Sequence, residues 1–131
     1  SSSQLAIISK TNRFSIRKNK VTFEDLRNEG IILRERSYNE EEYDSIMAEF
    51  HDHGFMPNII KTTKNSEDFF TEIQMGDNPG IIGSGLLLKY YTAGLFINII
   101  SDSSYNYGVV VAWNKNERNL SAINLYKSIS L

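Results

Sequence analysis

Two histidines one residue apart, His51-Asp52-His53, are the first arrangement in the chain with the vocabulary of a metal site. On a helix, residues two apart point about 200° away from each other, so the imidazoles cannot share an ion unless the helix has already ended. A polar last turn, with His53 beside Gly54 at the negative end of a helix dipole, accounts for both. Nucleophilic chemistry has as little to build on. There is no Cys, and Gly83-Ser84-Gly85 is only a fragment of a Gly-x-Ser-x-Gly elbow. The four glycines between Gly76 and Gly85 are followed by no Lys-Ser/Thr, so neither phosphate-loop spacing is met. A Gly-rich strand-to-helix turn can still offer N–H groups to an anion. Glu40, Glu41, Glu42 and the pair Glu67-Asp68 fall at predicted helix N-termini, where the dipole explains carboxylates, and none forms a catalytic pair. The residues therefore name no catalytic group, metal or cofactor.

What remains is two polar stretches, each directly after an apolar run that reads as a buried strand. Arg34-Glu35-Arg36-Ser37 follows Ile31-Ile32-Leu33, and Thr62-Thr63-Lys64-Asn65 follows Ile59-Ile60. In open α/β sheets ligands bind outside the carboxyl ends of strands, above all where helix N-termini also converge. Surface loops are polar in any case, so the pattern alone names a place and not a ligand.

The elements that would position these stretches follow from periodicity. Leu5-Ala6-Ile7-Ile8 is a short, β-branched apolar run that suits a strand buried on both faces. Five basic residues and no acid lie between Lys10 and Lys20, a solvated loop. Thr22-Phe23-Glu24-Asp25 fits a capping box, predicting a short helix to about Asn28, with Gly30 as its left-handed stop. Tyr43, Ile46, Met47 and Phe50 share one helical face, capped by Ser37 or Asn39 and ended by Gly54. Pro57 to Thr62 reads as the next strand. A helix capped at Asn65-Ser66 carries Phe69, Phe70 and Ile73 on one face and stops at Gly76 to Gly80. Ile81-Ile82 is a very short strand, and Leu86 to Tyr91 a short helix closed by Gly94. Leu95 to Ile100 and Tyr107 to Trp113 are the most β-prone runs, either paired with each other or serving separate sheets. Asn119 to Leu131 has helical spacing. Strands alternating with short helices give an α/β domain.

At 131 residues, 40% hydrophobic and 23% charged, the chain is long enough to bury a core without disulfide or metal staples. Its longest apolar run falls far short of the about 20 residues that span a bilayer. A net charge of -2 is not the balance that phosphate-backbone binding requires, so direct nucleic-acid binding by this piece is not expected. The absence of Cys fits a reducing compartment. Ser1-Ser2-Ser3, without an initiator Met or a leader, reads as the start of a cut piece.

The order of these pieces resembles the effector-binding domain of LysR-type transcriptional regulators. Leu5 to Ile8, the basic loop and Val21-Thr22-Phe23-Glu24-Asp25-Leu26 are similar to that family's strand, loop and following turn. Gly30-Ile31-Ile32-Leu33 with its polar loop is similar to the strand entering the effector cleft. Phe50 to Pro57 resembles the family's helix end and Gly-x-x-Pro turn, and Val109 to Lys115 with Leu120-Ser121-Ala122-Ile123 its late strand and C-terminal helix. Two departures are Gly76-Asp77-Asn78-Pro79-Gly80-Ile81, stretched relative to the family's Gly-x-Gly turn, and Gly83-Ser84, where Leu-Pro is common.

The resemblance implies a mixed, mostly parallel sheet flanked by helices, periplasmic-binding-protein-like. It makes residues 1–131 one truncated domain, with about 11–100 as the second subdomain and about 107–131 returning into the first. It implies a non-catalytic sensor without cofactor or metal, cytoplasmic and homo-oligomeric, with no membrane contact. A small organic acid or amino-acid-like effector would meet Arg34, Glu35, Arg36 and Ser37 from one strand end and Thr62 and Thr63 from the next. The arginines would pair a carboxylate and the hydroxyls orient it, while an inward Glu35 would match an amine. DNA would be held through a missing N-terminal helix-turn-helix. Half a cleft binds weakly, and the truncation should expose Leu5 to Ile8 and Val109 to Trp113, favouring dimerisation by strand exchange. Alternative readings are a solute-binding half-domain of a transport system, a small α/β enzyme using Ser84 or the carboxylates, and a purely structural oligomerisation piece.

Overall fold

Leu5-Ala6-Ile7-Ile8 becomes the strand next to one edge of a sheet because successive side chains point to opposite faces and both faces of this run are apolar. The computed structural model describes residues 2–15, 20–85, 94–105 and 107–108. Its elements are β1 (Ser2–Ser3), β2 (Leu5–Ser9), a 3₁₀ turn (Glu24–Leu26), β3 (Gly30–Arg34), α1 (Glu40–Asp52), β4 (Asn58–Thr63), α2 (Ser66–Met75), β5 (Gly80–Gly83), β6 (Phe96–Ile99) and β7 (Tyr107–Gly108). Five strands form one sheet in the order β4-β3-β5-β2-β6, and β1 pairs with β7. The large sheet is mixed: β3 runs parallel to β4 and β5, whereas β2 runs antiparallel to β5 and β6. Of the two β-prone late runs, Leu95 to Ile100 supplies β6 of the large sheet, and the described start of the other, Tyr107–Gly108, pairs with β1.

The alternation of strand residues divides the core into two layers. Leu5, Ile7, Ile31, Leu33 and Ile81 pack with Ile46 and Phe50 of α1 and with Phe14, Val21, Phe23 and Leu26. Ala6, Ile8, Ile32 and Ile82 pack with Phe69, Phe70 and Ile73 of α2. Each fully buried Leu, Ile or Phe contributes about 1.5–3 kcal/mol of hydrophobic stabilisation, so helix spacing and strand spacing are locked to each other through this packing.

Three expectations are corrected. The segment after Thr22 is a single 3₁₀ turn and ends at Leu26, not near Asn28. Phe23 and Leu26 are both buried at three-residue spacing, which a 3₁₀ turn satisfies, and the Asp25 carboxylate accepts the Thr22 N–H at 2.9 Å. Gly30 is not a left-handed stop: among the described residues the positive-φ glycines are Gly54 and Gly94. Gly30 opens β3 instead, where an added Cβ would lie 2.9 Å from both Ile60 and Asn78. Leu5 to Ile8 are not exposed but 0% accessible, because β2 is paired on both edges and covered on both faces. Among the described residues, exposed apolar strand side chains are instead Phe96, Ile97 and Ile99 of β6, at 37–40%, and Ile60 of β4. The expected helix over Leu86 to Tyr91, the strand over Val109 to Trp113 and the helix from Asn119 lie outside the described residues.

Candidate functional site

Parallel pairing brings the carboxyl ends of β3, β4 and β5, at Arg34, Thr63 and Gly83, to one end of the sheet. The two helices begin there too. Asn39 caps α1 by accepting the Glu42 N–H at 3.1 Å, and Asn65 caps α2 by accepting the Asp68 N–H at 2.8 Å. Strand ends and helix N-termini therefore converge where the two polar stretches lie.

The expected site residues divide into three kinds. Arg34 is inside the protein: its side chain is 1% exposed. Nη2 donates to Glu42 at 2.5 Å, Nη1 donates to Ser66 Oγ at 2.9 Å, and the guanidinium stands 4.8 Å over the Tyr38 ring. The Ser66 hydroxyl in turn donates a hydrogen bond to the Tyr38 hydroxyl oxygen at 3.2 Å. Thr63 is buried as well, its hydroxyl donating to the Asn65 carbonyl at 3.3 Å. Arg36 is exposed and forks onto Asp44 of α1 with bonds of 2.8 and 2.9 Å, and Glu40 lies 3.8 Å away. The Arg36 guanidinium holds the Asp44 carboxyl below the usual aspartate range, and the pairing raises Arg36 further above its own. Glu35, Ser37 and Thr62 form the third kind, half-buried or open at the strand ends. The Glu35 N–H donates to the Thr63 carbonyl at 2.7 Å, which joins the two polar stretches through the backbone.

Glu42 ties this end of the molecule together. One carboxylate oxygen takes Arg34 and the other takes the Gly83 N–H at 2.9 Å, so β3, α1 and β5 meet at one buried acid. Sequence reasoning assigned Glu42 to the helix dipole and overlooked Tyr38 and Ser66. The available signal was its place on the apolar stripe: Glu42, Ile46, Glu49 and Phe50 fall at i, i+4, i+7 and i+8, all buried. Glu49 is the second acid of that stripe, and it accepts the Ser104 N–H at 3.0 Å and its hydroxyl at 2.7 Å.

The other chemically suggestive residues have structural partners. Ser84 Oγ accepts the Gln4 N–H at 2.9 Å, closing the β2–β5 register. His53 is stacked on Phe23 at 4.6 Å, with Nδ1 2.8 Å from the Glu49 carbonyl and Nε2 3.3 Å from Asp102. Asp102 in turn accepts the Phe23 N–H at 3.1 Å. His53 caps α1 at the end opposite Glu42, as its neighbourhood with Gly54 implied, and sits roughly 16 Å along the helix from it. Among the described residues no cluster of three His, Cys, Asp or Glu side chains is set to hold a metal, and no helix is long and apolar enough to cross a membrane.

No family model and no curated protein matches the chain. Solved structures do match. The LysR-family regulator CbnR is similar with a TM-score of 0.67 and 14% identity, over 81% of this chain and 36% of that one. The BenM effector-binding domain with its effector benzoate gives a TM-score of 0.66 and 17% identity, over 79% of this chain and 47% of that one. The effector-binding domain of QuiR in complex with shikimate gives 0.60 and 11%, over 81% and 49%. The chain thus has the mixed α/β fold of LysR-type effector-binding domains and spans between a third and a half of the length of these structures.

Proposed function

We propose that the chain is the second half of the small-molecule sensor domain of a LysR-type transcriptional regulator. The observation that carries this is the site's architecture: three strand carboxyl ends and two capped helix N-termini meet in a sheet that follows the effector-binding domain of BenM over 79% of the chain. In this reading the effector lies against Glu35, Arg36, Ser37 and Thr62, with Arg34 and Thr63 behind them as the support, and a first subdomain supplies the facing wall. CbnR and its relatives are regulators, and CbnR has been solved with its target DNA. By analogy the whole protein is a cytoplasmic homo-oligomer that changes its hold on DNA when the effector binds, and it catalyses nothing. The reading frame upstream of Ser1 in the source DNA tests this. A helix-turn-helix segment followed by the first half of a sensor domain is the expected result. A leader for export would favour the solute-binding alternative, and a native start near Ser1 would overturn the regulator reading.

A further inference from the structure

Residues 100–105 lead from β6 into β7, and the last turns of α1 hold this segment at two points. Glu49 accepts the Ser104 N–H at 3.0 Å and the Ser104 hydroxyl at 2.7 Å. Asp102 lies between the Phe23 N–H, which it accepts at 3.1 Å, and Nε2 of His53 at 3.3 Å. A third anchor is the Ser101 N–H, which donates to the Val21 carbonyl at 2.8 Å. Of the groups in these anchors, the His53 ring is the one whose ordinary range of titration lies near neutral pH.

The contacts of that ring call for two protons. Nδ1 lies 2.8 Å from the Glu49 carbonyl and Nε2 faces the Asp102 carboxylate, and both of these groups only accept. A neutral imidazole carries one N–H and one lone pair, so either tautomer sets a lone pair against an oxygen. The imidazolium gives each oxygen a donor, and the carboxyl end of α1 favours its charge. The remaining charged groups nearby are engaged elsewhere. On α1, Asp52 faces His51 at 3.9 Å and the Glu49 carboxylate is turned to Ser104. On the 3₁₀ turn, Asp25 accepts the Thr22 N–H, and Glu24 pairs with Arg27, which lies 4.2 Å over the Phe55 ring.

We infer that His53 is a proton-operated latch on the segment between β6 and β7. Protonated, the ring holds Asp102; neutral, it releases Asp102 and with it the acceptor of the Phe23 N–H. The latch is closed above the ordinary aspartate range, where Asp102 is ionised, and opens as pH rises through the ordinary imidazole range. Because β7 pairs with β1, the latch acts on the strand pair that flanks the large sheet in sequence. In the reading proposed above that pair leads to the facing half of the crevice, but the latch does not depend on that reading.

Hydrogen exchange of the 131-residue chain, expressed at each pH as protection relative to the free peptide, tests this. Between about pH 5.5 and about pH 7.5 the protection of the Phe23 amide is expected to fall about threefold or more. That of the Ile32 amide, bonded to the Pro79 carbonyl inside the sheet, is expected to hold. Asp102→Asn is expected to abolish the fall, because its carbonyl accepts the Phe23 N–H while its amide donates to the neutral ring. His51→Asn, at the exposed histidine two residues away, is expected to leave the fall unchanged. A Phe23 amide that is unprotected at the lower pH, or protected equally at both, would overturn the proposal. So would a fall shared by Ile32, a fall that survives in Asp102→Asn, or one that disappears in His51→Asn. None of these outcomes bears on the upstream reading frame, so the latch and the regulator reading fail separately.

Discussion

A full charge on Arg34 with 1% side-chain exposure is tolerable only because Glu42 and Ser66 answer it, and the cost of breaking that arrangement is asymmetric. Removing one partner of a buried ion pair leaves the other desolvated and uncompensated, at about 3–5 kcal/mol, whereas an apolar pair of similar volume is often neutral or stabilising. Arg34→Met and Glu42→Leu are each expected to lose stability on that scale in urea unfolding. The double variant is expected to lose much less than the two together, and a strictly additive double variant would show that the pair is not coupled. The exposed pair on the same loop behaves differently. Arg36 depresses the Asp44 carboxyl in the folded state, so the stability it adds is complete above the ordinary aspartate range and is lost as pH falls through the lowered folded value. Asp44→Asn should therefore cost a small amount at pH 7, and its thermal midpoint should converge with that of the unsubstituted chain as pH falls below the ordinary aspartate range and through the lowered folded value. A gap that widens on acidification would contradict the sign.

Between β5 and α2 the fold depends on a close approach that only glycine permits. A Cβ at Gly80 would lie 2.5 Å from Phe69 Cζ and 2.8 Å from Ile73 Cδ1, both rigidly placed in the core on the α2 side of the sheet. Gly80→Ala is thus an overpacking substitution, expected to cost about 1–3 kcal/mol or more. Gly54 ends α1 at φ 92° with open space around it, so Gly54→Ala costs only the left-handed backbone penalty, about 1–2 kcal/mol. Chemical denaturation of the two variants checks the order, and a Gly80→Ala variant more stable than Gly54→Ala would mean that Phe69 can give way. These contrasts also mark what was legible in the sequence. The helices α1 and α2 were, since Ile46 and Phe50, or Phe69 and Ile73, repeat at the helical period, and their caps Asn39 and Asn65 stand where the side chain must sit to accept an N–H. The role of Gly30 and the extent of the 3₁₀ turn were not, because they are set by Ile60, Asn78 and the core around Phe23 rather than by neighbours in sequence. Nor was the partner of β6, which pairs with β2 nearly ninety residues earlier, a contact that no local pattern encodes. At the site, the position of the polar stretches was legible from strand ends alone. The burial of Arg34 was not, because it needs Glu42, an acid whose place at a helix N-terminus already had a sufficient local reason.

In the proposed reading, the described residues supply one wall of a crevice. The chain covers 36% of CbnR and 47% of the BenM effector-binding domain, and the elements that converge at Arg34, Thr63 and Gly83 all come from a single sheet. Small-molecule sites gain affinity by burying most of the ligand's surface and by fixing a few polar groups around it. A single wall leaves the far side of the ligand in water while the loss of translational and rotational freedom is still incurred in full. The Arg34 charge is balanced internally by Glu42 and does not compensate for that deficit. Equilibrium titration of the 131-residue chain with benzoate or benzamide is therefore expected to give dissociation constants well above the micromolar range, since a Kd of about 1 μM corresponds to about −8.2 kcal/mol and that free energy would have to come from half the contacts. Micromolar or tighter binding by either probe would mean that this wall is a complete receptor without the facing subdomain. The weak binding expected here is instead a property of the division of the crevice between two halves, and it should strengthen when the other half is supplied in the same polypeptide.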